Sequence, residues 1–254
     1  MSAEVLIDDA DGVRIITINR PQAKNAINLA VCEGIAAAMD ELEARDDLRV
    51  AIITGAGGSF CSGMDLKAFV RGERPFLEGR GFAGFVERPP GKPLIAAVEG
   101  YALAGGFEIA LASDLIVAAS NAFFGIPEVK RGLVAAAGGL MRLPRQLPQR
   151  IAMELALTGN MFPARRAFEL GLVNRLTEAN GAIDEARRLA AEIVANGPLA
   201  VAASKRIIQE SADWPVKELF ARQAPLADPV LASTDAQEGA TAFAEKRPPR
   251  WQGK

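Results

Sequence analysis

An α/β fold, with α+β layering as the alternative, is predicted by three features of this 254-residue chain. Its first part is rich in β-branched apolar runs, its second part reads as helical from about residue 138, and glycine clusters stand directly after apolar runs. Val5–Asp9 and Val13–Asn19 are two such runs joined by Ala-Asp-Gly, the pattern of a hairpin. Asn28–Arg45 carries Leu29, Cys32, Ile35, Ala36, Met39 and Leu42 at helical spacing. Val50–Thr54 predicts a buried strand, and residues 70–92 a long loop of the kind that is usually functional or mobile. Pro93–Val98 predicts a second buried strand, Gly105–Leu111 a helix opening on two glycines, and Asp114–Ala119 with Ala122–Gly125 further strands. Beyond Gly138 the chain is helical, punctuated by Gly159, Gly171 and Gly197, with Pro163 and Pro198 at helix starts and a short strand at Leu172–Leu176. After about residue 196 the pattern is a set of short helices containing Trp214, Phe220 and Phe243.

Composition excludes several classes of function. Half of the residues are hydrophobic, 29 are Lys or Arg and 31 are Asp or Glu, so no basic surface for nucleic acid is indicated. Cys32 and Cys61 are too few for a disulfide framework or a four-thiolate metal site. No apolar run spans a bilayer, and the start lacks the pattern of a signal peptide, so a cytoplasmic protein without membrane attachment is expected. There is no histidine, which removes Ser-His-Asp and Cys-His catalysis and histidine-ligated metals. Carboxylates are the favoured groups for acid/base work.

Three glycine-rich places qualify as sites. Thr54-Gly-Ala-Gly-Gly-Ser-Phe lacks the third glycine of a dinucleotide turn, because Phe60 stands there, and no clear helix follows at once. Gly100-Tyr-Ala-Leu-Ala-Gly-Gly-Phe-Glu leaves amide N–H groups free at a helix start, where the dipole favours an oxyanion, with Glu108 in the first turn. Read alone, that pair of glycines is equally a packing device with a dipole-complementing acid. Phe124-Gly-Ile-Pro-Glu puts Glu128 on an irregular, proline-fixed stretch twenty positions after Glu108. Alone it reads as a solvated loop carboxylate; together, the two glutamates flank one strand and can converge on one pocket.

Five ordered motifs then resemble the crotonase, or enoyl-CoA hydratase/isomerase, superfamily over nearly the whole chain. They are Asn19-Arg-Pro-Gln-Ala-Lys-Asn-Ala-Ile, Phe60-Cys-Ser-Gly-Met-Asp-Leu-Lys, Gly105-Gly-Phe-Glu-Ile-Ala, Phe124-Gly-Ile-Pro-Glu and Gly138-Gly-Leu-Met-Arg-Leu-Pro-Arg, with Phe243-Ala-Glu-Lys-Arg near the end. The resemblance implies a repeated ββα spiral core over residues 1–195 holding an acyl-CoA site, and a helical oligomerisation region over 196–254. It implies that Glu108 and Glu128 are the catalytic acids and that the amides of Met64 and Gly105 form the oxyanion hole. Ala23, Lys24, Asn25 and Ala26 would line the CoA groove, Lys67 would meet a CoA phosphate, and Lys246 would reach CoA, often that of a neighbouring subunit. No metal or separate cofactor is implied, since CoA is part of the substrate, and a homotrimer or dimer of trimers is expected.

The implied reaction is reversible syn addition of water to a 2-enoyl-CoA. Enoyl-CoA isomerisation and non-catalytic acyl-CoA binding are the alternatives, and no nucleic-acid partner is expected. Met64, Ala104 and Ala135-Ala136 depart from the residues usual at their positions, which bears on pocket shape. The tail Glu245-Lys-Arg-Pro-Pro-Arg-Trp-Gln-Gly-Lys and the Gly81-Phe-Ala-Gly-Phe loop resemble the crotonobetainyl-CoA hydratase/carnitinyl-CoA dehydratase branch. A quaternary ammonium substrate would find Phe69, Phe76, Phe82, Phe85, Glu73, Glu78 and Glu87 in that region, although ordinary loop packing accounts for the same residues.

Overall fold

The computed structural model describes residues 3–254, leaving the first two residues outside the description. In chain order the elements are β1 (Val5–Ala10), β2 (Val13–Ile18), α1 (Leu29–Ala44), β3 (Val50–Gly55), α2 (Leu66–Val70), β4 (Phe76–Leu77), β5 (Gly81–Phe82), β6 (Leu94–Val98), β7 (Tyr101–Leu103) and α3 (Gly105–Ala112). There follow β8 (Leu115–Ala119), β9 (Phe123–Gly125), a 3₁₀ turn at Pro127–Arg131, α4 (Gly139–Gln146), α5 (Gln149–Thr158), β10 (Phe162–Pro163), α6 (Ala164–Glu169), β11 (Arg175–Thr177), α7 (Ala182–Val194), α8 (Pro198–Ser211), α9 (Leu219–Leu231) and α10 (Thr234–Glu245).

The main sheet runs β1-β2-β3-β6-β8-β11, with only the β1–β2 hairpin antiparallel. Parallel strands covered on both faces read as continuous apolar runs, and the pleat sends alternate residues to opposite sides. Val50, Ile52, Ile95, Ala97 and Val117 face Ala182, Ala186 and Ala190 of α7. Their neighbours Ala51, Ile53, Leu94, Ala96, Val98 and Ile116 face the larger core with Val31, Ile35, Met39 and Leu42 of α1. Three alanines at four-residue spacing give α7 a flat stripe that seats it close to the sheet.

A second ladder lies beside the first. Each of four main-sheet strands leads into a short extended segment before its helix: β2 to Ile27, β3 to Cys61–Met64, β6 to β7 and β8 to β9. These segments pair in turn, through Ile27 with Met64, Cys61 with Ala102, and β7 with β9. This is the repeated ββα course expected from the resemblance.

Several local expectations needed adjusting. The Gly-containing turn after residue 98 holds the strand β7, too short for an alternating pattern to register. The stretch after the first glycine cluster does become helical, as the five-residue α2, whose N-cap Asp65 accepts from the amides of Lys67 and Ala68 at 3.0 and 3.1 Å. Glu128 sits on an ordered 3₁₀ turn started by Pro127 and closed by Gly132 in the left-handed region, φ 66°. The strand placed at 172–176 begins at Arg175, because Leu172 and Val173 turn into the core and the Asn174 side chain accepts from the Ile116 amide. Trp214 lies in the bend after α8, outside any helix. Among the described residues no helix is long and apolar enough to cross a membrane.

Candidate active site

The second ladder builds the site, one segment from each repeat. Arg20 binds the first repeat to the second, donating from Nη1 to the Ala26 carbonyl at 2.6 Å and from Nη2 to Asp65 at 3.0 Å. In the parallel pairing of Ile27 with Met64, the Ile27 amide donates to Gly63 and the Asp65 amide to Ile27. The intervening Met64 amide therefore points the other way and donates to no described residue. Gly63 has φ +98°, and a Cβ there would lie 2.8 Å from that of Ala104 and 3.1 Å from the Gly105 nitrogen. Only glycine lets this segment lie against the start of α3.

Gly105 opens α3 and its amide is likewise free, as first-turn amides are. Ala104, the N-cap, holds φ 52° and ψ −129°, a backbone region that disfavours a side chain and stores strain beside the free amide. Glu108, in the same first turn, is only 3 % exposed, and its Oε1 accepts from the Gly139 amide at 2.8 Å. Burial raises its pKa, opposed by the Gly139 and Ala137 amides and by nearby Arg142. Glu128 enters from the fourth repeat. Its buried Oε2 has no hydrogen-bond partner among the described residues. Burial, with a further push from Glu108, carries its pKa to about 7 against the pull of its own amide and Arg131.

Both glutamates, Met64 and Gly105 line one cavity of about 870 Å³. Ala23, Ala26 and Lys67 line it too, and so do Arg20, Arg74 and Arg131. Lys24 is exposed off this wall. Asn25 is fully buried and structural: its side-chain amide donates to Ala56 and Ser59 at 2.8 and 2.6 Å, and its oxygen accepts from the Arg20 amide. Lys246 caps the C-terminus of α10, away from the cavity within one chain. Sequence reasoning passed over Arg142 and the Gly139 amide, and it named Phe82 only as a candidate face for a quaternary ammonium, whereas its ring packs where a Cβ on Gly105 would stand. Their roles come from contacts between repeats, and no local pattern carries them.

Residues 8–254 match the family model described as enoyl-CoA hydratase/isomerase. The chain belongs to that family. Its similarity to a carnitinyl-CoA dehydratase of Salmonella enteritidis PT4 (strain P125109) is 47% identity over 249 residues, 94% of each chain. A crystal structure of an enoyl-CoA hydratase from Mycobacterium tuberculosis H37Rv superposes with a TM-score of 0.98 at 64% identity, covering 100% of both chains. That of a carnitinyl-CoA hydratase from Mycobacterium avium gives 0.80 at 42% identity, again over 100% of both. The crotonase fold is shared throughout, and the likeness to enoyl-CoA hydratases and carnitinyl-CoA dehydratases supports a lyase-type enzyme of CoA thioesters.

Proposed function

We propose that the protein catalyses reversible syn addition of water across the double bond of a 2-enoyl-CoA thioester, with Glu108 and Glu128 as the acid/base pair. The observation that carries this reading is the meeting of the buried Glu108 carboxyl, the half-buried Glu128 carboxyl and two free main-chain amides on one cavity wall. The thioester oxygen accepts from the Met64 and Gly105 amides, which stabilise the enolate as it forms; one such donor is worth roughly 2.7–4 kcal/mol in the transition state. Ionised Glu108 takes a proton from water, whose oxygen bonds to Cβ, and protonated Glu128 delivers its proton to Cα. The cycle ends with the proton on Glu108 and Glu128 ionised, so a proton must pass back before the next turnover. Positioned proton transfers of this kind contribute roughly 10²–10⁴-fold each.

E108Q and E128Q should each lose most hydratase turnover, followed as loss of the enoyl-thioester absorbance, while still binding a saturated acyl-CoA. Near-wild-type rates in both reject the reading. Incorporation of oxygen from labelled water separates hydration from mere movement of the double bond.

The likeness to proteins named carnitinyl-CoA dehydratase supports a second reading, in which the acyl group carries a quaternary ammonium. The cavity supports it less. Phe69, Phe76 and Phe82 line the wall, but the Arg74 guanidinium sits 3.9 Å over the Phe69 ring. Phe85 is buried in the core, Glu73 accepts from the Leu29 amide, and neither Glu78 nor Glu87 lines the cavity. Comparing crotonobetainyl-CoA with crotonyl-CoA as substrates decides between the two. We read residues 1–195 as the core that holds this site and 196–254 as the assembly region. Ile208, Phe220, Leu231 and Phe243 on α8–α10 are each at least 74 % exposed in the single chain, which supports burial against other copies. A trimer or hexamer mass by light scattering is expected, and a monomer mass overturns it.

A further inference from the structure

The hydratase reading needs Glu108 ionised and Glu128 protonated, and the surroundings of the two acids must supply the reason for that order. The geometry around Glu108 is not the geometry around Glu128. Glu108 Oε1 is held by the Gly139 amide, the first residue of α4. One turn on, Arg142 folds its side chain back over the same helix end. Its Nη2 donates to the Val86 carbonyl and its Nη1 reaches the Ala137 carbonyl at 3.5 Å. The guanidinium lies over Gly138, where a Cβ would stand 2.1 Å from Nη1, so glycine is required for this path. Gly138 also has φ +99°. Arg142 is half-buried and pinned by carbonyls on two segments, with no carboxylate bonded to it among the described residues.

We propose that Arg142 is a positioning residue that keeps the Glu108 carboxylate ionised, and so leaves the single proton of the pair on Glu128. The inference rests on the hydratase reading and adds to it the residue that sets the order of the two acids and drives the return of the proton. After each hydration the proton taken from water sits on Glu108, and the fixed positive charge of Arg142 favours its return to Glu128. No oxidant, metal or further reactant is needed, because one O–H bond is broken and one formed at each transfer.

The charged groups around Glu108 fit this assignment. Arg142 on α4 is the one cation acting on it among the described residues, and Glu128 on the 3₁₀ turn shares its cavity and feels its charge. Arg131 acts on Glu128 instead, from an exposed position. Lys67, Arg74 and the Arg20–Asp65 pair share the cavity wall. Cys61, behind Gly106, is a neutral thiol pushed up to about 12 by burial. The attraction between Arg142 and Glu108 lowers the pKa of the acid against the effect of burial.

The test is the pH profile of kcat/KM for R142M and R142K, with wild type, E108Q and E128Q alongside. Losing the charge should move the acid limb of R142M to higher pH, so that activity at the acid end falls on the order of tenfold more than activity at the alkaline end. R142K should return the limb towards its wild-type position. G138A, which displaces the guanidinium and retains it, should move the limb in the same direction as R142M. Should R142M fail to fold, R142K and G138A decide the question: an unmoved limb in G138A overturns the proposal. A uniform loss across the pH range in R142M, with the limb in place, also overturns it, since that is what a purely structural role would give. If E108Q and E128Q keep full turnover, the hydratase reading has failed. If they lose it and the R142M limb does not move, only the role of Arg142 has failed.

Discussion

Adding one methyl group at Gly106 tests the whole arrangement of the oxyanion hole. A Cβ there would stand 2.1 Å from the Cys61 carbonyl oxygen and 2.7 Å from its carbon. Both are backbone atoms of a fully buried residue, so no side chain can swing aside. To reach even 3.0 Å, the second-repeat segment and α3 must part by about 0.9 Å. That segment carries Met64 three residues later, and the Cys61 oxygen also accepts from Leu103 at 3.0 Å, two residues before Gly105. The two free amides therefore separate by nearly the whole displacement, and one donor leaves hydrogen-bonding range of the thioester oxygen. Loss of one such donor costs roughly 2.7–4 kcal/mol in the transition state, or about 10²–10³-fold in kcat. G106A should show that loss in the enoyl-thioester absorbance assay, with overpacking lowering stability by roughly 1–3 kcal/mol. Folded G106A, checked by its melting transition, with kcat close to wild type would refute the argument that these two segments set the donor spacing.

Three further outcomes are expected. K205M removes an ammonium that donates to Asp114 at 2.6 Å and to the Pro90 and Lys92 carbonyls at 2.7 and 2.9 Å, leaving Asp114 with the Leu94 amide and the Gln209 side chain but no counter-charge; a loss of about 1.5–3 kcal/mol in urea unfolding is expected, with faster amide exchange in α8. The fold holds the Glu128 proton up to about pH 7 whereas the unfolded chain releases it near 4.5, so this group's stabilisation is present at low pH and is lost as pH rises through 7. E128Q should therefore gain about 2 kcal/mol on wild type between pH 5 and 8 in denaturant titrations, and a constant difference would contradict the burial of that acid. A104G relieves the positive-φ strain at the N-cap of α3 and should raise stability by about 1 kcal/mol, whereas a fall in melting temperature would show that the methyl packing outweighs the strain.

Much of this was legible along the chain because it depends on local rules. The two-sided burial of β3, β6 and β8 appears as unbroken apolar runs, α1 as its helical spacing with Asn28 at the N-cap, and α3 as a glycine pair before a glutamate. The absence of histidine turned attention to carboxylates, and five ordered motifs named the family that the comparisons then showed. Short elements escaped: β7 has three residues and α2 five, fewer than a period needs. Asn25 shows the opposite failure, since a polar residue inside a binding motif proves to be occupied with three backbone groups of its own neighbourhood.

By itself, then, the order of residues determined the layers and which acids and glycines were available, since each follows from neighbours within a few positions, whereas the repeat shows no internal sequence likeness and was implied only by the family resemblance. Only the tertiary structure decided that Glu108 is held by Gly139 and shadowed by Arg142, that Glu128 keeps an unpartnered oxygen, and that Lys24 and Lys246 stand off the cavity of a single chain. The physical reason is that charge, desolvation and donor direction depend on what packs opposite. The partners of Glu108, Gly139 and Arg142, lie 31 and 34 positions away, brought together by tertiary packing and by no pattern in the intervening chain.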